Sequence, residues 1–181
     1  MEIGVNYALI INNNAGLWGY NIGDTVQFIS LLPHRLLVTG RIKHYISAFG
    51  EHVIGKEVEE ALLETVAQFN EKIVEFTVAP NVAPAEGGLP YHEWFVEFDG
   101  FTSDLQTFSN TLNAAMIRQN IYYEDLLTGN ILQPLKIRIL QKDAFRSYMK
   151  SQGKLGSQNK VPRLSNDRKI AEMLLQYVVN F

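Results

Sequence analysis

The first forty residues carry short apolar runs separated by turn-forming residues, which predicts β-strands and no helix. Residues 5–11 are apolar and rich in β-branched side chains, and asparagines and a glycine follow them. Residues 25–30 and 35–39 alternate polar and apolar side chains on either side of a proline, as in a β-meander. Because this leader has no helix to cover it, we expect its sheet to be completed by strands upstream of Met1.

The pattern changes to a helical period after residue 54. An apolar stripe follows Gly55, and glutamates occupy most of the other positions of that segment. Further helices are predicted from an N-cap at Ser103, from an N-cap at Asp143 and from Asp167, and a short helical turn is predicted at 122–127. This part of the chain is therefore expected to be mainly helical between its strands.

Three extended segments alternate with these helices, at residues 73–79, 91–98 and 135–140. The first two could be antiparallel neighbours, since a single Pro- and Gly-rich loop joins them. His92 and Trp94 share one face of the second strand and Glu93 the other, so these residues do not form a simple acid–base group and a packing role is favoured. The sequence predicts an α+β domain with helices packed on a mixed or antiparallel sheet.

These patterns predict that the chain divides into two parts. Residues 1–42 are the β-rich end of a large upstream domain, and residues 43–181 are a mobile C-terminal α+β domain. With 181 residues the chain has room for one ordinary domain and a piece of another. The orphan strands favour a truncated protein whose natural start is not Met1.

Composition excludes several classes of function. Sixteen basic and nineteen acidic side chains leave a formal charge of −3, which does not favour a general attraction to nucleic acid or membranes. There is no cysteine, so thiolate chemistry is excluded and a reducing compartment is favoured, while four scattered histidines make a metal site improbable. The N-terminus has neither a signal peptide nor a membrane span, and we expect a cytoplasmic protein.

Two residues near the end of the leader are candidate nucleotide contacts. Asp24 follows a glycine at the mouth of a strand, where a carboxylate can accept hydrogen bonds from ribose hydroxyls or can merely cap its own turn. Arg41 ends a later strand, and its guanidinium could bind ribose or phosphate oxygens in fork geometry, or pair with a nearby surface glutamate. Neither residue alone identifies a site.

A third candidate lies in the glycine-punctuated basic loop at residues 153–164. This loop is not a Walker A motif, because Gly153-Lys154 is followed by leucine and lacks the spaced upstream glycine. A lysine here, such as Lys160, could neutralise charge on an α-phosphate and a leaving pyrophosphate. The alternative is a solvated basic loop with no ligand.

Taken in order, these motifs resemble the auxin-responsive Gretchen Hagen family of acyl acid amido synthetases, in its bacterial form. Residues 20–26 are similar to the family's Tyr-x-x-Gly-Asp-hydrophobic-Val segment, and residues 156–163 to its Ser-x-Gln-aromatic-Lys-x-Pro-Arg segment, with Asn159 in place of the aromatic residue. Gly40-Arg41 looks like the start of the Gly-Arg-x-Lys-Asp hinge of adenylate-forming enzymes, with His44 replacing the aspartate. The resemblance covers essentially the whole chain.

The resemblance implies a role for each candidate residue. Asp24 would bind the ribose, Arg41 would contact the nucleotide, and Lys160 would be the mobile catalytic lysine, with Lys154 and Arg163 as weaker candidates. The small domain would rotate about residues 41–44.

The implied reaction joins a carboxylic acid to an amine or amino acid through acyl-AMP, with ATP and Mg²⁺. It also needs the missing N-terminal adenylation domain, so the fragment alone is expected to be inactive. Two alternatives remain open at this stage: acyl transfer to a thiol, and a noncatalytic α+β binding module.

Overall fold

The computed structural model describes residues 1–41, 45–154, 156 and 160–179. For Arg41 the backbone alone is described. The predicted hinge residues 42–44 lie outside the described residues, as do the predicted boundary between residues 42 and 43 and residues 157–159 of the basic motif.

The leader forms an antiparallel sheet in the order β1-β2-β3, with β1 at Asn6–Ile11, β2 at Tyr20–Leu31 and β3 at His34–Arg41. Strand β2 begins five residues earlier than its alternating pattern indicated. The buried hydroxyl of Thr39 ties the outer strands together, donating to Asn6 Oδ1 at 2.7 Å. The predicted β-meander is therefore present.

A short hairpin connects this sheet to the first helix. Its strands are β4 (Tyr45–Ile46) and β5 (Val53–Ile54), and α1 (Gly55–Phe69) follows directly. Glu57 stabilises the start of α1, because its carboxylate accepts the Ile54 backbone N–H at 3.0 Å. The helix predicted from Gly55 is thus confirmed.

The C-terminal domain is built on a three-stranded sheet in the order β6-β7-β8, with strands at Ile73–Asn81, Tyr91–Phe98 and Lys136–Leu140. Strands β6 and β7 are antiparallel, whereas β8 is parallel to β7. Between β7 and β8 the chain forms α2 (Leu105–Gln119) and α3 (Ile121–Thr128), since a parallel neighbour needs a long crossover connection. The predicted α+β fold with helices on a mixed sheet is confirmed.

Helices cover both faces of this sheet. One face packs against α1 and α2 in a core that includes Val78 and Trp94. The other face packs against α4 (Ala144–Ser151) and α5 (Lys169–Leu174) in a second core that includes Phe95. The consequence is that β7 is buried on both sides along its whole length.

Two local predictions were wrong, and a third was correct only for the position of a helix cap. Asp104, not Ser103, is the N-cap of α2, because its carboxylate accepts the Thr107 N–H at 2.8 Å. Asp143 is the N-cap residue of α4, as predicted, but its φ is positive and its side chain makes no capping hydrogen bond. The last helix ends at Leu174 and is followed by a 3₁₀ turn at Leu175–Tyr177, so it is shorter than its amphipathic pattern indicated.

Candidate functional site

The fold brings two of the three candidate residues together. Asp24 and Arg41 are directly opposite each other at the last step of the β2–β3 pairing, although they are seventeen positions apart in sequence. Gly23 precedes Asp24 with φ of 83°, a conformation that glycine adopts without steric cost. Asp24 is partly buried there. The predicted nucleotide contacts therefore share the end of one strand pair, immediately before residues 42–44.

Lys160 lies on a different part of the chain. Its side chain is exposed, as is that of Lys154, and both lysines belong to the basic loop between α4 and α5. The residues after Lys160 are held against strand β6, beginning with the buried Val161. An exposed lysine at the edge of a fixed segment can present its ammonium group to an anionic ligand.

A polar cleft of about 260 Å³ separates the leader sheet from α1. It is lined by Thr39 from the leader and by Lys56, Glu57 and Glu60 from the helix. Neither Asp24 nor Lys160 lines it. Burial raises the pKa of Glu57, although hydrogen bonds from Asn120 and Ile54 oppose this shift. Since the Glu57 carboxylate caps α1, its position in the cleft has a structural explanation.

One polar pair near the hairpin was missed by sequence reasoning. His92 Nε2 and Glu51 Oε1 are 2.9 Å apart, and the two side chains are 1% and 0% exposed. Burial raises the pKa of Glu51, but hydrogen bonds from His92 and from the backbone more than offset burial and hold that pKa below its ordinary value. The residues are 41 positions apart, so no local motif could have revealed the contact.

In the described ranges, no group of three or more histidine, cysteine, aspartate or glutamate side chains could hold a metal ion. Within those same ranges, no helix combines the length and the apolar character that crossing a membrane requires.

A short β-sheet leader followed by an α+β domain with helices on both faces of its sheet is a fold found in acyl acid amido synthetases. The chain belongs to the GH3 family. The model of the GH3 family C-terminal domain matches residues 56–169, and the model of the GH3 family central domain matches residues 1–41. The resemblance to the Gretchen Hagen family that the sequence motifs indicated is thereby confirmed, whereas its bacterial form stays a prediction.

The matches to individual proteins agree with this assignment. The chain is 25% identical over 193 aligned positions to the probable indole-3-acetic acid-amido synthetase GH3.1 of Arabidopsis thaliana, covering 99% of this chain and 32% of that protein. Its fold is similar to the GH3.15 acyl acid amido synthetase, with a TM-score of 0.76, 16% identity, and coverage of 99% of this chain and 35% of that one.

A structure of that synthetase in complex with 2,4-DB gives a TM-score of 0.75 at 16% identity, with coverage of 99% of this chain and 34% of that one. The chain spans about a third of the length of these relatives.

Proposed function

We infer that this chain is the C-terminal part of an ATP-dependent ligase that joins a carboxylic acid to an amine or amino acid. In the first step a carboxylate oxygen attacks the α-phosphorus of ATP, which gives acyl-AMP and releases pyrophosphate. In the second step the amine attacks the acyl carbon, AMP leaves, and the amine nitrogen loses a proton. The amido synthetase relatives support this class of reaction.

The observation that carries the proposal is the strand register, which places Asp24 of β2 opposite Arg41 of β3 at the end of the leader sheet. In the proposed complex the Asp24 carboxylate accepts hydrogen bonds from the ribose hydroxyls, and Arg41 contacts the nucleotide. Lys160 stabilises the negative charge that develops on the α-phosphate and the departing pyrophosphate. These three residues thus divide nucleotide binding and charge stabilisation between the two parts of the chain.

The remaining components come from outside this chain. Mg²⁺ enters with ATP, as is usual for a cation that binds mainly to phosphates, and no metal site is assigned to the described residues. The acid pocket and the main phosphate loop belong to the N-terminal domain of the whole protein. We propose a cytoplasmic location, a domain division at residues 42 and 43, and a rotation of the C-terminal domain about residues 41–44 between the two steps.

The test is acid-dependent ATP–pyrophosphate exchange by the whole protein that carries this chain, measured with a panel of carboxylic acids. We expect Lys160→Ala to lower the exchange rate at least about 100-fold, since a preorganised charge at the transition state is removed. Lys142→Ala is the matched control, because Lys142 is another exposed lysine and lies outside the basic loop.

Equal exchange in the Lys160→Ala and Lys142→Ala variants would overturn the role of Lys160. No exchange with any acid would favour a noncatalytic module. If exchange occurs, product analysis with competing amine and thiol acceptors decides which acceptor is used.

A further inference from the structure

The segment that follows Lys160 is bound to the sheet by an isolated β-bridge at Leu164. Val78 N–H donates to the Arg163 carbonyl at 2.9 Å, and Ser165 N–H donates to the Val78 carbonyl at 3.1 Å. These two bonds make a parallel bridge between Val78 of β6 and Leu164. Residues 161–165, which we term the docking segment, therefore have a fixed backbone position beside β6.

Side chains fix the docking segment from both faces of the sheet. Val161 is buried in the core formed with α4 and α5, whereas Leu164 is buried in the core formed with α1 and α2. Between them, the hydroxyl of Thr77 donates to the Pro162 carbonyl at 2.7 Å, and Thr77 is 1% exposed. A hydrogen bond from the buried Thr77 side chain thus holds a carbonyl group two residues from Lys160.

The guanidinium of Arg163 attaches the docking segment to α1 and β6 at a third point. Its guanidinium contacts Glu59 of α1 at 2.5 Å and Glu75 of β6 at 3.8 Å, and it lies 5.2 Å from the centre of the Phe76 ring. A planar guanidinium suits such combined stacking and pairing better than a lysine would. The geometry therefore gives Arg163 structural contacts with α1 and β6, while its role as a weaker candidate for anion binding stays a prediction.

We propose that Thr77 is a positioning residue for Lys160, acting through the docking segment. The proposal rests on the proposed function, in which Lys160 acts during adenylation. Thr77 lies on β6, and its hydroxyl donates to the Pro162 carbonyl, two residues after the lysine. Since displacement of a catalytic group by about 1 Å can lower a rate about 100-fold, a residue that fixes the base of the loop affects the rate without contacting the substrate.

The test compares Thr77→Val with Thr65→Val in the whole protein. Thr65 is the matched control, because it is also fully buried and donates its hydroxyl to a backbone carbonyl, that of Ala61 at 2.8 Å, but within α1. Each substitution removes one buried hydroxyl and replaces it with a methyl group. We expect single-turnover formation of acyl-AMP to slow about tenfold in Thr77→Val and less than about twofold in Thr65→Val, with Thr77→Ser close to the parent protein.

A double-variant cycle separates positioning from general destabilisation. If Thr77 acts through Lys160, adding Thr77→Val to Lys160→Ala causes no further loss of rate, measured in long single-turnover reactions. Hydrogen exchange at the Ser165 amide should also be faster in Thr77→Val and unchanged in Thr65→Val, since the docking segment opens more often.

Three results would overturn the proposal. An equal fractional loss in the parent and Lys160→Ala backgrounds would make Thr77 merely structural. A normal rate in Thr77→Val with a strong Lys160→Ala defect would overturn the positioning role alone. A normal rate in Lys160→Ala would overturn both this inference and the role of Lys160 in the proposed function.

Discussion

The buried pair of His92 and Glu51 allows a quantitative test of how the hairpin is held to the C-terminal domain. His92 lies on β7 and Glu51 in the loop between β4 and β5, and both are almost fully buried. In His92→Leu the Glu51 carboxylate keeps its hydrogen bond from the Phe49 N–H at 2.8 Å but loses its side-chain partner. We expect a loss of about 3 kcal/mol in the free energy of unfolding, since a buried charge is left uncompensated.

The same substitution should change the pH dependence of stability. In the parent protein the pKa of Glu51 is depressed: burial raises it, but hydrogen bonds from His92 and the backbone outweigh burial. A depressed folded-state pKa gives stability that is present above the unfolded-state pKa and is lost as the pH falls through the folded-state value. In His92→Leu burial is opposed by fewer bonds, so the pKa of Glu51 rises. The difference in stability between the two proteins should therefore be largest near pH 7 and smaller near pH 4.

Urea unfolding at both pH values measures this difference. Arg118→Met is the matched control, because Arg118 forms an ion pair with Glu64 in which the side chains are 54% and 42% exposed. Such an exposed pair should contribute less than about 1 kcal/mol. The double variant Glu51→Met with His92→Leu should regain about 2 kcal/mol relative to His92→Leu, because no buried charge remains. The reasoning is refuted if His92→Leu costs no more than Arg118→Met at neutral pH.

Two further predictions concern buried glutamates. Glu97→Gln should lower the free energy of unfolding by about 1 kcal/mol, because the Glu97 carboxylate accepts the Asp143 and Phe145 N–H groups at the start of α4; equal urea midpoints for parent and variant would contradict this. Glu71→Ala should cost about 2 kcal/mol, since Glu71 Oε1 accepts hydrogen bonds from the N–H and hydroxyl groups at residues 102–103. The depressed pKa of Glu71, which these bonds cause despite burial, means that its contribution should fade as the pH drops below about 4.5, and a pH-independent difference between parent and variant would rule this out.

The elements of the fold were largely predictable because their signals are local. The apolar stripe after Gly55 and the strands at residues 73–79 and 91–98 depend on hydrophobic periodicity, and each is present close to its predicted position. The caps were less predictable. Ser103 has the right residue type for an N-cap, but its hydroxyl donates to Glu71 at 2.6 Å, and Asp104 takes the cap position. A tertiary contact decides between two adjacent candidates that local chemistry cannot separate.

The candidate site was predictable in part. Asp24 and Arg41 were proposed separately from the sequence, and their opposition across β2 and β3 needed the strand register. The anchoring of the docking segment was not predictable at all, because Thr77 and Pro162 are 85 positions apart and neither belongs to a local motif. Long-range hydrogen bonds of this kind depend on topology, which periodicity does not specify.

Four buried glutamates in the C-terminal domain each bind a segment that is distant in sequence. Glu51 binds His92, Glu71 binds the residues before α2, Glu93 pairs with Arg138 and Arg168, and Glu97 binds the start of α4. Glutamate is rarely buried without partners, so a pattern based on hydrophobicity would place all four at the surface.

Each of these carboxylates joins a strand, a helix end or a loop to a segment distant in sequence. The hairpin, α4 and the segment leading into α5 are thereby attached to one sheet, and the docking segment beside β6 is attached to the same sheet. Under the proposed function, a rotation about residues 41–44 would therefore move Lys160 together with this sheet, and the accuracy of its placement would depend on buried polar bonds within the domain.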